Sequence, residues 1–286
     1  MRPGVIVSTY EWPRALELSV WGWAVQTRRD FRLVIADDGS GPDTAALIER
    51  LRERTGLDIT HVWQPDRGFR KSEILNRAIV ACDADYLIFS DGDTIPAPNL
   101  VALHVSLAEP RRFLAGAYVK LNMKVSACIT VEDVVRGRAT RLGWLLRHGY
   151  NPGSRVLRWA PRPLGAVLDR VTPTPARWHG NNASTWREHL LEVNGFDMDM
   201  GYGGEDAALG DRLENLGILP KRIRHRALAV HLWHKRPWRD PAALQRNVET
   251  RMRIRRQGET RAARGIAQLE PVQREAWRAQ SPRASS

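Results

Sequence analysis

Short apolar runs rich in β-branched residues alternate along the chain with longer stretches whose apolar positions recur three and four apart. Val5 to Thr9, Phe31 to Ala36, Leu57 to Trp63 and Tyr86 to Phe89 read as four strands bounded by turn residues. Helices are expected between them, from Pro13 to about Thr27, from about Asp43 to Arg54, and from Phe69 to Cys82 with Ile74, Leu75, Ala78 and Ile79 on its apolar face. Such alternation predicts an α/β fold, a doubly wound, mostly parallel sheet with right-handed crossovers. Pro96 and Pro98 are expected to stop the fourth strand, and Phe113 to Val119 reads as a fifth.

The pattern lapses over residues 121–177, which read as a basic insertion or lid, with a helix expected over Val131 to His148 and exposed aromatics at Trp144, Tyr150 and Trp159. Order returns with a helix over Trp186 to Val193 and another opened by Glu205 and Asp206. The second has an apolar face of Ala208, Leu209, Leu213 and Leu216 and is closed by Gly217. Ala227 to Leu232 reads as a late strand. These elements predict one domain over residues 1–240, followed by a basic helical extension over 241–286 whose last residues, Pro282 to Ser286, are expected to be disordered.

Composition adds constraints. A chain of 286 residues with 43% hydrophobic content can bury a sizeable core. No run of 18 or more apolar residues suggests a membrane span. Glu11 interrupts the first apolar stretch, unlike a secretory leader, and Cys82 and Cys128 form no CxxC, which fits a reducing cytoplasm. The sequon Asn182-Ala183-Ser184 is then a chance match. The net charge of +12 favours phosphates, nucleic acid or anionic lipid as partners without choosing among them. The basic insertion and tail suggest peripheral attachment to an anionic membrane surface.

Candidate chemistry gathers where strands end. Three strands in a row finish in polar turns: Ser8-Thr9-Tyr10, Asp37-Asp38-Gly39 and Asp91-Gly92-Asp93. Ligands of open α/β sheets bind at this edge. Two carboxylates one residue apart can hold a divalent cation that shares its remaining positions with phosphate oxygens. In GYGGED, Gly201, Gly203 and Gly204 are expected to clear space for a substrate to approach Glu205 and Asp206, although acidic residues also suit a first helical turn. His231 and His234 follow the last strand, and one of them is a candidate metal ligand.

In this order the motifs IVSTY, IADDGS, DRGFRKSEILNRAI, LIFSDGDTIPAPNL, GNNAS, GFDMDMGYGGEDAALGDRL and AVHLWH resemble the family 2 glycosyltransferases of GT-A fold, over roughly residues 3–118 and 178–235. The GYGGED stretch also resembles galactosyltransferase-type and chondroitin-polymerase-type sequences, which implies a UDP-sugar donor and inversion. By this resemblance Thr9, Tyr10, Asp37 and Asp38 would hold the nucleoside, Arg70 or Lys71 would face the diphosphate, and Asn182 would belong to the donor site. Asp93 would bind Mn2+ or Mg2+ directly, with Asp91 on the ribose or the metal shell. His231, or as second choice His234, would complete the metal site. Asp206 would be the general base and Glu205 would orient hydroxyls. Two departures stand out. Leu75 replaces an arginine common in relatives, which implies that a nucleotide contact is missing or has moved to Arg70 or Arg77, and Tyr202 replaces a tryptophan.

The implied activity is transfer of a hexosyl or N-acetylhexosaminyl group from a nucleotide-sugar to a glycan or lipid-linked acceptor, in cell-surface polysaccharide synthesis. A sugar-nucleotide nucleotidyltransferase would want a glycine- and arginine-rich loop where Ser8-Thr9-Tyr10-Glu11 stands. A nucleic-acid-binding protein would have to accommodate acidic strand ends that repel phosphate, so nucleic acid is not an expected partner. An inactive scaffold would not keep both acidic pairs.

Overall fold

The computed structural model describes residues 2–235 and 241–270. The expected disorder of Pro282 to Ser286 lies outside these described residues. The chain opens with β1 (Gly4–Thr9), α1 (Pro13–Ala24), β2 (Arg32–Asp37), α2 (Pro42–Thr55), β3 (Ile59–Trp63), α3 (Lys71–Ala81) and β4 (Tyr86–Asp91). Short elements follow: β5 (Thr94–Pro96), α4 (Leu100–Leu107), β6 (Arg112–Ala115) and β7 (Val119–Lys120). Helices α5 (Met123–Cys128), α6 (Val131–Val135), α7 (Leu142–Arg147) and α8 (Arg162–Val171) form the insertion. Then come β8 (Ala183–Trp186), α9 (Arg187–Glu192), α10 (Glu205–Asn215), β9 (Leu219–Arg222), β10 (Ala229–His231) and α11 (Pro241–Gln257).

The main sheet has the order β3-β2-β1-β4-β8-β6-β9. Its first four strands are mutually parallel, β8 runs antiparallel between β4 and β6, and β9 is parallel to β6. The register sets Thr9 beside Asp37 and Ser8 beside Asp91, so the polar strand ends share one edge of the sheet. Alternation along β1 sends Ile6 to one face and Val5 and Val7 to the other. One face is covered by α3, α9 and α10, with Phe89 edge-on to Trp178 and Phe196. The other is covered by α1, α2 and α4.

A second sheet, β5-β10-β7, corrects two expectations. Pro96 does not merely end a strand. It closes β5, which pairs antiparallel with β10 through Ile95 and Val230. Phe113 to Val119 is not one strand, because the chain leaves the main sheet at Gly116, whose N–H donates to the Asn182 carbonyl. A Cβ at Gly116 would meet the Asn182 side chain at 2.5 Å. The strand resumes as β7 in the second sheet.

The insertion is also more ordered than its sequence suggests. Trp144 and Tyr150 are buried, and Trp159 is half-buried with its Nε1–H donating to the Thr140 carbonyl at 2.8 Å. With Val125, Ile129 and Leu145 they form an apolar cluster against α1, β5 and β10. The expected helix over Val131 to His148 is broken at Gly137, which is left-handed at φ +65°. Strands β8 and β9 escaped the sequence pattern because each is only four residues long. Among the described residues no helix is long and apolar enough to cross a membrane.

Candidate active site

The three polar strand ends, the GYGGED loop and the His231–His234 turn enclose a cleft of about 850 Å³. Gly92 lets the acidic turn lie against β1: its N–H donates to the Ser8 carbonyl at 2.7 Å, and a Cβ there would stand 3.0 Å from that oxygen. Asp91 accepts from Ser8 Oγ and from Lys71 Nζ, each at 2.8 Å. Burial alone would raise its carboxyl, but Lys71 and Ser8 more than offset this and hold it below the usual carboxylate range. The Lys71 ammonium is in turn held above its usual range. Burial works against it, and the charges of Asp91, Asp206 and Glu205 outweigh burial.

On one side of the cleft, Asp93 Oδ2 lies 3.4 Å from His231 Nε2 and 3.2 Å from His234 Nε2. Each histidine has its Nδ1 against a backbone carbonyl, His231 with Leu232 at 2.6 Å and His234 with Lys235 at 2.7 Å. A carbonyl only accepts, so Nδ1 carries a hydrogen and Nε2 of each ring is turned to the carboxylate, the arrangement in which neutral imidazoles can ligate a cation beside it. The other Asp93 oxygen is buried without a hydrogen-bond partner. The three groups offer ligand atoms within 4.8 Å of one another, so the donor set fits a divalent metal. Tyr118 packs on His231 and Trp12 meets His234 edge-on, holding both rings in place.

Across the cleft, the Asp206 carboxylate accepts from the Gly180 N–H at 3.1 Å through Oδ2, while its Oδ1 is buried and unpartnered. Gly180 is needed there, since a Cβ would stand 2.6 Å from Oδ1. Burial raises the Asp206 pKa, opposed by Lys71 and helped by Asp91. Burial, together with Asp206, pushes Glu205 up to about 7. Glu205 Oε2 accepts from the Gly203 N–H at 2.8 Å. The pair is therefore a proton-accepting site whose basicity is set by burial and by one lysine.

The glycines of GYGGED also serve the packing of α11. Gly203 and Gly204 are left-handed, at φ +99° and +102°, and a Cβ at Gly203 would strike Leu244 of α11 at 2.2 Å. They leave room for α11 and also line the cleft beside Glu205 and Asp206. Asn247 Nδ2 of α11 lies within 3.3 Å of the carbonyls of Gly201, Tyr202 and Gly203. Arg251 and Arg255 of the same helix pair with buried Asp211 of α10 at 2.8 and 2.6 Å. The described part of the basic extension is thus packed on the domain and supports the loop that carries Glu205 and Asp206.

Several sequence candidates lie elsewhere. Asp37 is fully buried, held by His61 Nε2 at 3.0 Å and the Ser40 N–H at 2.8 Å, and does not line the cleft. Its neighbour Asp38 does line it, accepting from Gln64 Nε2 and the Arg70 N–H, and burial pushes its pKa up to about 6. The Arg70 side chain turns away to Glu73 and the Pro65 carbonyl, and Arg77 pairs with Glu73. Neither arginine therefore makes up for the leucine at position 75; among the described residues the cleft's cations are Lys71 and, at its edge, Lys235. Asn182 is fully buried and engaged with His104 and the carbonyls of Ala117 and Ala227. It ties β8 to the segment after β6 instead of touching the cleft. Thr9 and Tyr10 do line the cleft, as do Trp12, Phe69, Tyr118, His179 and Tyr202. Phe69 and Tyr202 meet edge-on at 5.6 Å.

Residues 4–137, just under half of the chain, match the family model described as Glycosyl transferase family 2. A validoxylamine A glucosyltransferase of Streptomyces hygroscopicus subsp. jinggangensis is 29% identical over 244 residues, covering 81% of this chain and 56% of that protein. The hyaluronan synthase of Pasteurella multocida is 24% identical over 248 residues, covering 82% of this chain and 24% of that protein. The chain thus spans about half the length of the first relative and about a quarter of the second. Among solved structures, the mannosyltransferase PcManGT from Pyrobaculum calidifontis, in complex with GDP-Man and Mn2+, is similar in fold at TM-score 0.56 and 22% identity, over 83% of this chain and 58% of that one. TarS of S. aureus is similar at TM-score 0.60 and 12% identity, over 89% of this chain and 40% of that one. Residues 4–137 are thus similar in sequence to the family 2 glycosyltransferases, and the chain as a whole shares a GT-A-like α/β fold.

Proposed function

We propose that the protein is an inverting, metal-dependent glycosyltransferase that moves a sugar from a nucleotide-sugar, of the UDP class, to a hydroxyl of a glycan or lipid-linked acceptor. The observation that carries this reading is the pairing, across one cleft, of a three-ligand cation site with a buried carboxylate that has an unpartnered oxygen. Of the solved structures similar in fold, one is in complex with GDP-Man and Mn2+ and one with UDP, which supports a nucleotide-sugar donor without choosing the nucleotide.

Asp93, His231 and His234 would hold the metal, Mn2+ or Mg2+, which when bound neutralises the departing diphosphate. Thr9, Tyr10 and Asp38 border the nucleoside end of the cleft. Lys71 keeps Asp91 ionised beside the sugar-phosphate and lowers the cost of a second charge on Asp206. Asp206 Oδ1 accepts the proton of the acceptor hydroxyl as that oxygen bonds to the anomeric carbon. The bond from the anomeric carbon to the diphosphate breaks on the opposite face, and the nucleoside diphosphate leaves with the electron pair. Glu205 is braced by the Gly203 N–H and orients hydroxyls beside the base. A role in cell-surface polysaccharide synthesis, at the inner face of a membrane, is consistent with this chemistry.

Release of nucleoside diphosphate tests the reading. The protein is incubated with UDP-, GDP- and dTDP-sugars, with Mn2+ or with EDTA. Metal-dependent release from UDP-sugars is expected. No release from any nucleotide-sugar with metal and a panel of glycan acceptors present would overturn it.

A further inference from the structure

Beside the cleft lies a second cavity, of about 380 Å³, lined by Lys120, Arg155, Arg158, Arg177, Arg222 and Arg224. Its cations come from four separate stretches of chain: β7, the helical turn Gly153–Trp159, the segment after α8, and β9 with the residues that follow it. Arg158 is buried and Arg222 and Arg224 are half-buried, with exposed Lys120, Arg155 and Arg177 at the rim; like charges gathered in this way repel unless something offsets the repulsion. Little in the protein does so. Among the described residues the guanidinium groups of Arg155, Arg158, Arg177 and Arg224 make no hydrogen bond and no ion pair, and Nε of Arg222 and of Arg224 is buried without a partner. Arg158 is only 9% exposed. Burial, then the charges of Arg224 and Arg155, lower its pKa to about 10. The nearby carboxylate, Asp169, is already engaged by Arg226 at 2.7 Å and by the His225 N–H at 2.9 Å. Arg222 is steadied by the carbonyls of Asp169 and Thr174, which fixes its position without neutralising its charge.

Tyr118 and His179 line both cavities. Tyr118 packs on His231, and His179 adjoins Gly180, whose N–H holds Asp206. The cavity therefore borders the cleft next to the carboxylate offered as the base, within reach of a substrate bound there. We propose that it binds a phosphoryl group carried by the acceptor, so that the substrate class is a phosphate-bearing glycan or lipid. This rests on the transferase reading for the word acceptor, but not for the anion site itself. Several forked donors around a space this large suit a multiply charged, tetrahedral group better than a single carboxylate. The phosphoryl group has two possible sources, a soluble glycan phosphate or a lipid headgroup. The second is suggested by the exposed Leu164, Val167 and Val171 of α8, the helix leading into the cavity wall.

The test is calorimetric titration of the protein with inorganic phosphate at low ionic strength. Wild type is compared with Arg158→Gln/Arg224→Gln and with Asp93→Ala. The proposal expects one phosphate per chain, bound at least about tenfold more weakly by the double variant and unchanged in Asp93→Ala. Equal affinity in the double variant, or loss of phosphate binding in Asp93→Ala, would overturn it; the latter places the anion at the donor's diphosphate position. If the double variant fails to fold, Arg155→Gln/Arg177→Gln, both exposed, takes its place with the same expectation. Co-sedimentation with phosphatidylglycerol vesicles separates the sources: binding lost in the variant assigns a lipid phosphate, and phosphate binding without vesicle binding assigns a soluble one. Phosphate binding that survives while no nucleotide-sugar is turned over would sink the transferase reading and leave the anion site standing.

Discussion

The two sides of the cleft are built by different means. On the metal side, Asp91 and Asp93 follow directly from β4, and the pairing of His231 with Thr94 brings β10 beside Asp93. Strand register and adjacent chain fix these groups. On the base side, Glu205 and Asp206 follow two left-handed glycines, and their loop is clamped from α11, more than 40 residues further on by sequence separation. A site set by sheet register tolerates distant changes. A site set by a remote helix transmits them. Damage to α11 should therefore reach the chemistry while leaving donor binding intact.

The largest expected effect is on the base itself. Asp206→Asn keeps the shape and loses the proton acceptor, so the transfer rate falls by about 10²–10⁴-fold with donor affinity retained, read by steady-state kinetics beside a nucleotide titration. In the wild type the rate should fall as pH drops through the raised pKa of Asp206, because the protonated carboxyl accepts nothing.

Glu205 offers a stability test of the same side. Its folded-state pKa of about 7 lies above its ordinary 4.5, so the folded protein holds this proton more tightly than the unfolded chain. The resulting stability is fully present below pH 4.5 and is lost as pH rises through about 7. Glu205→Gln removes the penalty of the buried charge. Urea denaturation should show little change at low pH and a gain of up to about 3 kcal/mol in mildly alkaline buffer.

On the metal side, Mn2+ at about 100 times its dissociation constant should stabilise the wild type by about 2.7 kcal/mol. His231→Ala and Asp93→Ala should each abolish that gain in a thermal melt. The smallest expected effect is the one that sharpens the comparison. Asn247→Ala should cost on the order of 1 kcal/mol of stability, lower kcat, and leave nucleotide affinity unchanged. A matching loss of nucleotide affinity would show that the two sides are not separately held.

The grouping of Asp91, Asp93 and His231 was legible in the sequence because each part follows or ends a strand run long enough to show its period. Tyr86 to Phe89 announces Asp91 and Asp93, and Ala227 to Leu232 announces His231. The base side was legible only as a motif. That Gly203 and Gly204 face Leu244 and Arg251 depends on packing between distant segments, which periodicity does not carry. Asn76 behaves likewise: its amide brackets Phe196, donating to the carbonyl and accepting from the N–H, each at 2.8 Å. Asp37 and Asp38 read as equals in sequence, yet β2 buries the first and turns the second into the cleft. Trp144 and Tyr150 read as exposed because the helices that bury them are too short to show a 3.6-residue repeat.

The central claim is that one cleft holds a metal-dependent donor side and a separable base side. It is tested most directly by titrating UDP into wild type and Asp206→Asn, with Mn2+ and with EDTA. The account predicts Mn2+-dependent binding of equal strength in both proteins. Binding that persists at full strength in EDTA, or that is lost in Asp206→Asn, would contradict it.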